Sequence, residues 1–326
     1  MDKPVENVGF EVIGKVRAHP KAADPRYIEY RRKWAANPAG LIVADFPMHL
    51  DIEVTTACNL LCPMCPRTVM IENGRQPTSF FLPFDVYKRI IDEGAENGLY
   101  AVNLNLFGEP LLHKQIVEMV DYAHQRGIVD IMFHTNATPL TEKISRGLIQ
   151  AGLDQLNISL DSCRAERYER LRKGAKFDKV LANIRRFMEL RKELGSPLPL
   201  VRAQMVLMKE NADEVEEFQE FWLKIVDSIG IREYRNPLGL ESGERVYRKS
   251  VDIEGFTCPD PWRRLGINQD GSVWPCCKNN EGDLVVGNIY ESSLKDIWHG
   301  AKLEAIRKIH REKRAACLKG CRECIS

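Results

Sequence analysis

The chain has 326 residues, 44% hydrophobic and 29% charged, which fits a globular protein of one large or two modest domains. A net charge of +1 gives no electrostatic footprint for nucleic acid or an anionic membrane. No apolar run approaches the roughly 18 residues of a membrane span, and the start, Met1-Asp2-Lys3-Pro4-Val5, lacks the apolar core of a signal peptide.

Residues 1–46 are mixed and carry one predicted helix, 25–36. From His49 the chain alternates, with strands predicted near 49–55, 100–107, 129–135, 154–160, 200–208 and 230–235. Helices are predicted near 84–97, 113–126, 141–151, 176–194 and 212–227. The last opens with Asn211 followed by Glu214, a capping-box-like start, and carries Val215, Phe218, Trp222 and Ile225 at helical spacing. Six strands alternating with helices predict an α/β fold with a parallel sheet and right-handed crossovers.

The strands also have two unlike faces. In the first, Leu50, Ile52 and Val54 oppose His49, Asp51, Glu53 and Thr55; in the second, Val102, Leu104 and Leu106 oppose Asn103, Asn105 and Phe107. In the fourth, Leu156, Ile158 and Leu160 oppose Asn157, Ser159 and Asp161; in the fifth, Val201, Ala203, Met205 and Leu207 oppose Arg202 and Gln204. Helices must cover the aliphatic faces, so the polar faces point into a lumen. A complete eight-stranded barrel fills its lumen with bulky aliphatics. Buried polar groups without partners are costly, so this lumen is expected to be a hydrated cavity for polar ligands. For any single residue the alternative is a structural hydrogen-bond network.

Ten cysteines, clustered rather than dispersed, argue for metal binding in a reducing cytosol and against disulfides, so a cytoplasmic location is expected. Cys58, Cys62 and Cys65 follow the first strand at C-x3-C-x2-C spacing. A four-iron cluster ordinarily takes four thiolates. Either a fourth ligand comes from elsewhere, or the fourth iron binds a small molecule. Zinc sites usually come as separated C-x2-C pairs or mixed Cys/His sets, a poor match. Three structural cysteines crowded into one eight-residue loop is the remaining alternative.

The run Glu53-Val54-Thr55-Thr56-Ala57-Cys58-Asn59-Leu60-Leu61-Cys62-Pro63-Met64-Cys65 resembles the signature of the radical S-adenosylmethionine (SAM) superfamily. The resemblance implies that SAM chelates the open iron of a 4Fe-4S cluster held by Cys58, Cys62 and Cys65. Electron donation then gives methionine and a 5′-deoxyadenosyl radical. The residue before the third cysteine is often aromatic in the family; here it is Met64, whose polarisable side chain can still pack near the adenine. The implied fold is a partial (β/α)6 TIM-like barrel, in agreement with the six strands, with its site at their C-terminal ends.

Phe107-Gly108-Glu109-Pro110 resembles the family's Gly-Gly-Glu-Pro motif, with Phe107 in place of the first glycine; its carboxylate and carbonyls suit the SAM ammonium group. His134-Thr135-Asn136 resembles a Thr-Asn-Gly turn near the ligand, and Ser159-Leu160-Asp161 matches a motif that contacts the SAM ribose or carboxylate. Arg172 is implied as a partner of the SAM carboxylate, with a solvated helix charge as the alternative, and inward-facing Gln204 as a contact to the nucleoside.

Beyond about residue 250 the βα rhythm stops and Cys258, Cys276, Cys277, Cys317, Cys321 and Cys324 follow. Asp270-Gly271-Ser272-Val273-Trp274-Pro275-Cys276 reads as a hairpin. With Cys258-x12-Gly271-x4-Cys276 it resembles the start of the family's SPASM/Twitch extension, and the Gly287–Trp298 stretch leads into a helix as in these extensions. A full SPASM domain has further cysteines for two auxiliary clusters, so the shorter Twitch form with one auxiliary 4Fe-4S cluster is expected. The implied ligands are Cys258, Cys276, Cys321 and Cys324; Cys277 for Cys276 and Cys317 for Cys321 stay open, with zinc as the competing occupant. Cys317-x3-Cys321-x2-Cys324 repeats the first spacing, but no barrel strand precedes it. The resemblance covers residues 48–326, with expected divisions 1–47 (N-terminal extension), 48–240 (barrel) and 241–326 (auxiliary-cluster domain).

The expected function is hydrogen abstraction from a small polar substrate (a sugar, aminocyclitol or sugar nucleotide) for oxidation or epimerisation, an oxidoreductase-like role. The resemblance is to the Twitch-containing dehydrogenases and epimerases of aminoglycoside pathways. A reductant such as flavodoxin or ferredoxin is implied. Peptide modification is the alternative; such enzymes usually carry an N-terminal leader-binding domain, for which 46 residues are few. A mere iron–sulfur electron carrier would not explain the motifs at successive strand ends. Cys163 is positioned either as a hydrogen-donating thiol or as a small filler, and Tyr234, Arg235 and Asn236 as substrate contacts or loop residues.

Overall fold

The computed structural model describes residues 10–13, 19–72, 74, 79–234, 256–276 and 284–325. Its strands are β1 (Phe10–Ile13), β2 (His49–Ile52), β3 (Ala101–Asn103), β4 (Asp130–Thr135), β5 (Gln155–Ser159), β6 (Leu200–Leu207), β7 (Ser228–Glu233), β8 (Arg264–Ile267), β9 (Ser272–Trp274) and β10 (Gly287–Asn288). One sheet holds them in the order β1-β7-β6-β5-β4-β3-β2-β8-β9-β10. Strands β2 to β7 lie side by side in chain order and all parallel, the expected partial barrel. The edge strand β1 and the docking of β8 on the barrel had no counterpart in the sequence reading. β1 pairs antiparallel with β7, and β8 adds a further parallel strand beside β2. The expected hairpin is the antiparallel pair β8–β9, with β10 beyond it.

The aliphatic strand faces form the core. Leu50, Ile52, Val102, Ile131, Phe133, Leu156, Ile158, Val201 and Ala203 are fully buried. They pack with Met119, Val120, Leu148, Ile184, Phe187, Phe218 and Trp222 from the crossover helices. Each of the larger aliphatic and phenyl side chains contributes roughly 1.5–3 kcal/mol when taken from water. The helices run Phe84–Glu96, Ile116–Gln125, Glu142–Gln150 and Phe177–Glu193, close to expectation, and Val215–Trp222, shorter at both ends than the expected 212–227; Pro66–Glu72 and Ala165–Leu171 are additional. The expected capping box at Asn211 does not form, because the Asn211 side chain gives no bond to the helix. Its amide instead donates to the carbonyls of Asp161 (2.8 Å) and Val206 (2.9 Å), and its oxygen accepts from the Met208 N–H (2.7 Å). Three buried backbone groups outbid one helix end.

The N-terminal helix, Pro25–Ala39, is capped by Asp24 and closes the barrel at the N-terminal ends of the strands. Arg26 donates to Gly127 O (2.6 Å), the Tyr30 hydroxyl lies 3.5 Å from His49 Nδ1, and Lys33 donates to the Tyr100 hydroxyl (3.0 Å). Just before the helix, Lys21 donates to Val129 O (2.9 Å). Trp34 stacks under the guanidinium groups of Arg263 and Arg264 at 4.8 and 4.9 Å. The lumen therefore opens at the opposite, C-terminal mouth. Helices Leu294–Trp298, Ala301–Arg311 and Lys319–Ile325 finish the chain. Buried Arg307 ties the second of them to the first through Trp298 O (2.9 Å) and to the turn at Pro261 through Pro261 O (3.0 Å).

Candidate active site

A cavity of about 340 Å³ opens at the C-terminal ends of the parallel strands. Its lining brings together Cys58, Cys62, Cys65, Gly108, Glu109, Asn136, Ser159, Asp161, Arg172 and Gln204. Met64 and Pro110 stand outside that lining: Met64 packs partly buried against the core, and Pro110 starts a short 3-10 turn, Pro110–Leu112.

The cysteine loop is held at both ends. The Thr55 hydroxyl accepts from the Ala57 N–H (3.0 Å), and the Leu61 N–H donates to Lys173 O (3.0 Å). Burial pushes the Cys62 thiol up to about 11 and raises that of Cys58. Against this, Arg172 Nη1 lies 4.0 Å from Cys62 Sγ and Asn136 Nδ2 lies 4.0 Å from Cys58 Sγ. Among the described residues, no three metal-binding side chains close on one point as a single ion would demand. A four-iron core, bound iron by iron, makes no such demand. Three soft thiol donors facing one cavity, with a cation and an amide turned toward them, fit such a core.

The Gly-Glu-Pro loop has a steric origin. A Cβ on Gly108 would stand 1.8 Å from the Thr55 carbonyl oxygen, so only glycine lets the chain leaving β3 lie against the chain leaving β2. Glu53 then fixes the loop: its carboxylate accepts from the amides of Phe107 (2.7 Å), Gly108 (3.2 Å) and Leu106 (3.4 Å). Those amides turn to a side chain instead of a neighbouring strand, which is why the strand expected over 100–107 ends at Asn103. Glu109 ties the next turn in, accepting from the Thr135 hydroxyl (2.6 Å), the Asn136 N–H (2.7 Å) and the Leu111 N–H (3.1 Å). Burial pushes both Glu53 and Glu109 up to about 7 in spite of these donors.

Just past the end of β5, Asp161 sits in the left-handed region, φ 64°. One carboxylate oxygen accepts from the Val206 N–H (2.7 Å) and the other pairs with Arg172 at 2.6 Å. Arg172 is thus neither a solvated helix charge nor without a protein partner. Burial disfavours its charge, but Asp161 and the Cys62 sulfur outweigh this and raise its pKa.

Deeper in the lumen the polar faces interlock. Asp51 pairs with Arg264 (3.0 Å), accepts from Asn103 (2.9 Å) and faces His49 Nε2 (3.3 Å). Burial works against its charge, yet Arg264 and His49 hold it well below the usual carboxylate range. His134 also lines the cavity; its N–H donates to Asn105 Oδ1 (2.8 Å), and burial, followed by Arg232, lowers the ring to about 4. Gln204 donates to Asn157 (3.4 Å). Glu53, Asp51 and His134 belong to residues already read as strand ends or polar faces, but their roles were not assigned. Arg232 and Arg264 also line the cavity and had no sequence signal.

In the C-terminal region, Cys258 and Cys321 meet through His310, and the Cys276 carbonyl lies against Gly266. Cys317 is exposed at the end of the short turn Ala315–Cys317. Cys324 lies in the Lys319–Ile325 helix with its side chain outside the described residues, as is all of Cys277. Cys163 is buried, its thiol pushed up to about 12 by burial, and it is not among the residues lining the cavity. Tyr234 donates its N–H to Leu207 O (3.1 Å); Arg235 and Asn236 lie outside the described residues.

Residues 52–221, just over half the chain, match the Radical SAM superfamily, and residues 258–325 match the SPASM iron-sulfur cluster-binding domain. A GTP 3′,8-cyclase of Alkaliphilus metalliredigens is 32% identical over 199 residues, 60% of this chain and 58% of the relative. The chain thus spans less than two thirds of that relative's length. SuiB of Streptococcus suis, bound to S-adenosylmethionine, superposes with a TM-score of 0.69 at 18% identity, covering 86% of this chain and 72% of SuiB. BtrN in complex with AdoMet and 2-DOIA superposes with a TM-score of 0.58 at 18% identity, covering 87% and 95%. Among the described residues no helix is long and apolar enough to cross a membrane. With cysteine loop, strand-end motifs and both family matches in register, the chain belongs to the radical SAM superfamily, as an enzyme whose cofactors are S-adenosylmethionine and 4Fe-4S clusters.

Proposed function

We propose that this enzyme abstracts hydrogen from a small polar substrate of the sugar, aminocyclitol or sugar-nucleotide class, for dehydrogenation or, with hydrogen returned, epimerisation. The observation that carries the reading is the polar lumen. Asp51, Asn103, Asn105, His134, Gln204, Arg232 and Arg264 share one cavity, in the size range of small-molecule sites. Charged and amide side chains converging on one space suit the hydroxyls and amines of a polar substrate, where an apolar one would gain nothing from them.

In this reading Cys58, Cys62 and Cys65 hold the first cluster, and Cys258, Cys276, Cys321 and Cys324 the second. When bound, the first cluster with SAM supplies a 5′-deoxyadenosyl radical, and the second an electron acceptor, with a flavodoxin or ferredoxin as reductant. Gly108, Glu109, Pro110, Asn136, Ser159, Asp161, Gln204 and Met64 shape the SAM site. Arg172, paired with Asp161, adds positive charge beside Cys62. His134 lines the same lumen, and burial holds its ring below the ordinary imidazole range, so it meets a substrate as a neutral polar contact.

The second reading, a peptide substrate, is favoured by the likeness to SuiB, which also has a structure bound to its precursor peptide SuiA. The test is anaerobic reconstitution to about eight irons per chain, then incubation with SAM, a strong reductant and candidates deuterated at the carbinol carbon. Deuterium in the released 5′-deoxyadenosine from a sugar or aminocyclitol supports the first reading. Deuterium from peptides alone overturns it.

A further inference from the structure

His310, one residue from the end of the Ala301–Arg311 helix, is 1% exposed and belongs to no sequence motif. Three contacts fix its ring and backbone. The Cys258 N–H donates to Nδ1 at 3.3 Å, Trp262 stands edge-on with centroids 6.4 Å apart, and the Thr257 hydroxyl donates to the His310 carbonyl at 3.1 Å. The other ring nitrogen, Nε2, lies 3.6 Å from Cys321 Sγ. A ring nitrogen that accepts from an amide carries no proton, so the proton of the neutral ring sits on Nε2. The backbone of one cysteine thereby sets the tautomer that aims an N–H at the sulfur of another.

We propose that His310 is a positioning residue for the auxiliary iron–sulfur centre, its Nε2–H donating to the Cys321 sulfur and raising the centre's reduction potential. The proposal rests on the reading that Cys258 and Cys321 belong to one ligand set. Reduction adds an electron to an already anionic, thiolate-bound core. A donor on a ligand sulfur stabilises the reduced form more than the oxidised one, and hydrogen bonds to the sulfurs are among the protein's levers on potential. Burial strengthens that donor. A centre poised this way accepts an electron more readily, as the oxidation proposed above requires.

The test uses the full chain in a Cys58→Ala, Cys62→Ala, Cys65→Ala background, which isolates the auxiliary centre. It is reconstituted with iron and sulfide and titrated by EPR, with His310 intact, as His310→Leu and as His310→Gln. About four irons should load in each. The midpoint potential should fall in His310→Leu and return toward the parent in His310→Gln, whose amide N–H reaches toward the Nε2 position. A loaded His310→Leu chain with the parent's potential sinks the proposal alone. A parent that takes up no iron sinks the ligand reading, and the proposal with it. Should His310→Leu fail to load, the parent carrying 15N-histidine decides. A weak nitrogen coupling to the reduced centre supports the hydrogen bond; no coupling, or the strong coupling of a direct iron ligand, overturns it.

Discussion

Replacing Arg172 by Met keeps the aliphatic stem but leaves the Asp161 carboxylate, fully buried, without its cation at 2.6 Å. Breaking a buried pair from one side typically costs about 3–5 kcal/mol. The structure gives an independent bound, because a stranded carboxyl can escape by taking up a proton. At pH 7 that costs about 1.4 kcal/mol for each unit above an ordinary pKa near 3.8, or about 4 kcal/mol. At pH 5 the same bound is about 1.6 kcal/mol. The sign follows from linkage. Burial already raises Asp161 in the parent against the pull of Arg172, and without that cation it rises further, so the variant keeps the parent's stability below about pH 4 and loses more of it as pH rises. Adding Asp161→Asn removes the charge, keeps an acceptor for the Val206 N–H, and suits the left-handed backbone at φ 64°. The double variant should recover to within about 1 kcal/mol of the parent. Urea unfolding of the apoprotein at both pH values, followed by tryptophan fluorescence, reads all of this; Trp222 lies beside the site, its Nε1 donating to Ser162 O at 3.4 Å. An Arg172→Met chain within 1 kcal/mol of the parent at both pH values would refute the buried pair and return Arg172 to a solvated helix charge.

Gly108→Ala must push the loop away from Thr55 O, since no rotamer relieves a Cβ at 1.8 Å; it should cost about 1–3 kcal/mol or more in urea and weaken SAM binding in equilibrium dialysis. Glu53 and Glu109, raised to about 7 by burial, make the native state hold protons that the unfolded chain releases near 4.5, so each removes stability as pH climbs through that window. The apoprotein's stability should therefore fall between pH 5 and 8, by up to about 3 kcal/mol per carboxyl, and Glu109→Gln should flatten the slope. Asn211→Ala strands two carbonyls and one amide and should cost about 2–4 kcal/mol, measured in the same urea titration.

What the sequence disclosed was periodic or local. The alternation of aliphatic and polar residues in β2, β3, β5 and β6 is a period of two that only a strand with two unlike surroundings satisfies. It foretold both the helix-covered faces and the polar lumen. β1 escaped because four residues carry too little pattern, and the pairing of β8 with β2 escaped because it joins segments more than two hundred residues apart. The Asn211–Glu214 spacing misled for a related reason. The local motif was a sound helix start, but the neighbouring ends of β5 and β6 offered the same side chain two carbonyls and an N–H.

The site divides along the same line. Motifs that act through their own backbone, the cysteine loop and Gly108-Glu109, were legible because their constraint is local. Gly108 must be glycine wherever the next strand end comes within van der Waals reach. The charges that tune the cavity were not. Asp51 could be placed on an inward face, but its cation, Arg264, lies 213 positions away and joins it only when the C-terminal strand docks on β2. That pairing has a consequence for the enzyme as a whole. A guanidinium from the cluster-binding extension reaches into the barrel's own lumen and compensates its buried carboxylate, while Trp34 of the N-terminal helix stacks beneath it. The polar floor of the cavity is therefore a joint product of three segments far apart in sequence. A substitution in any one of them changes the electrostatics that a substrate meets.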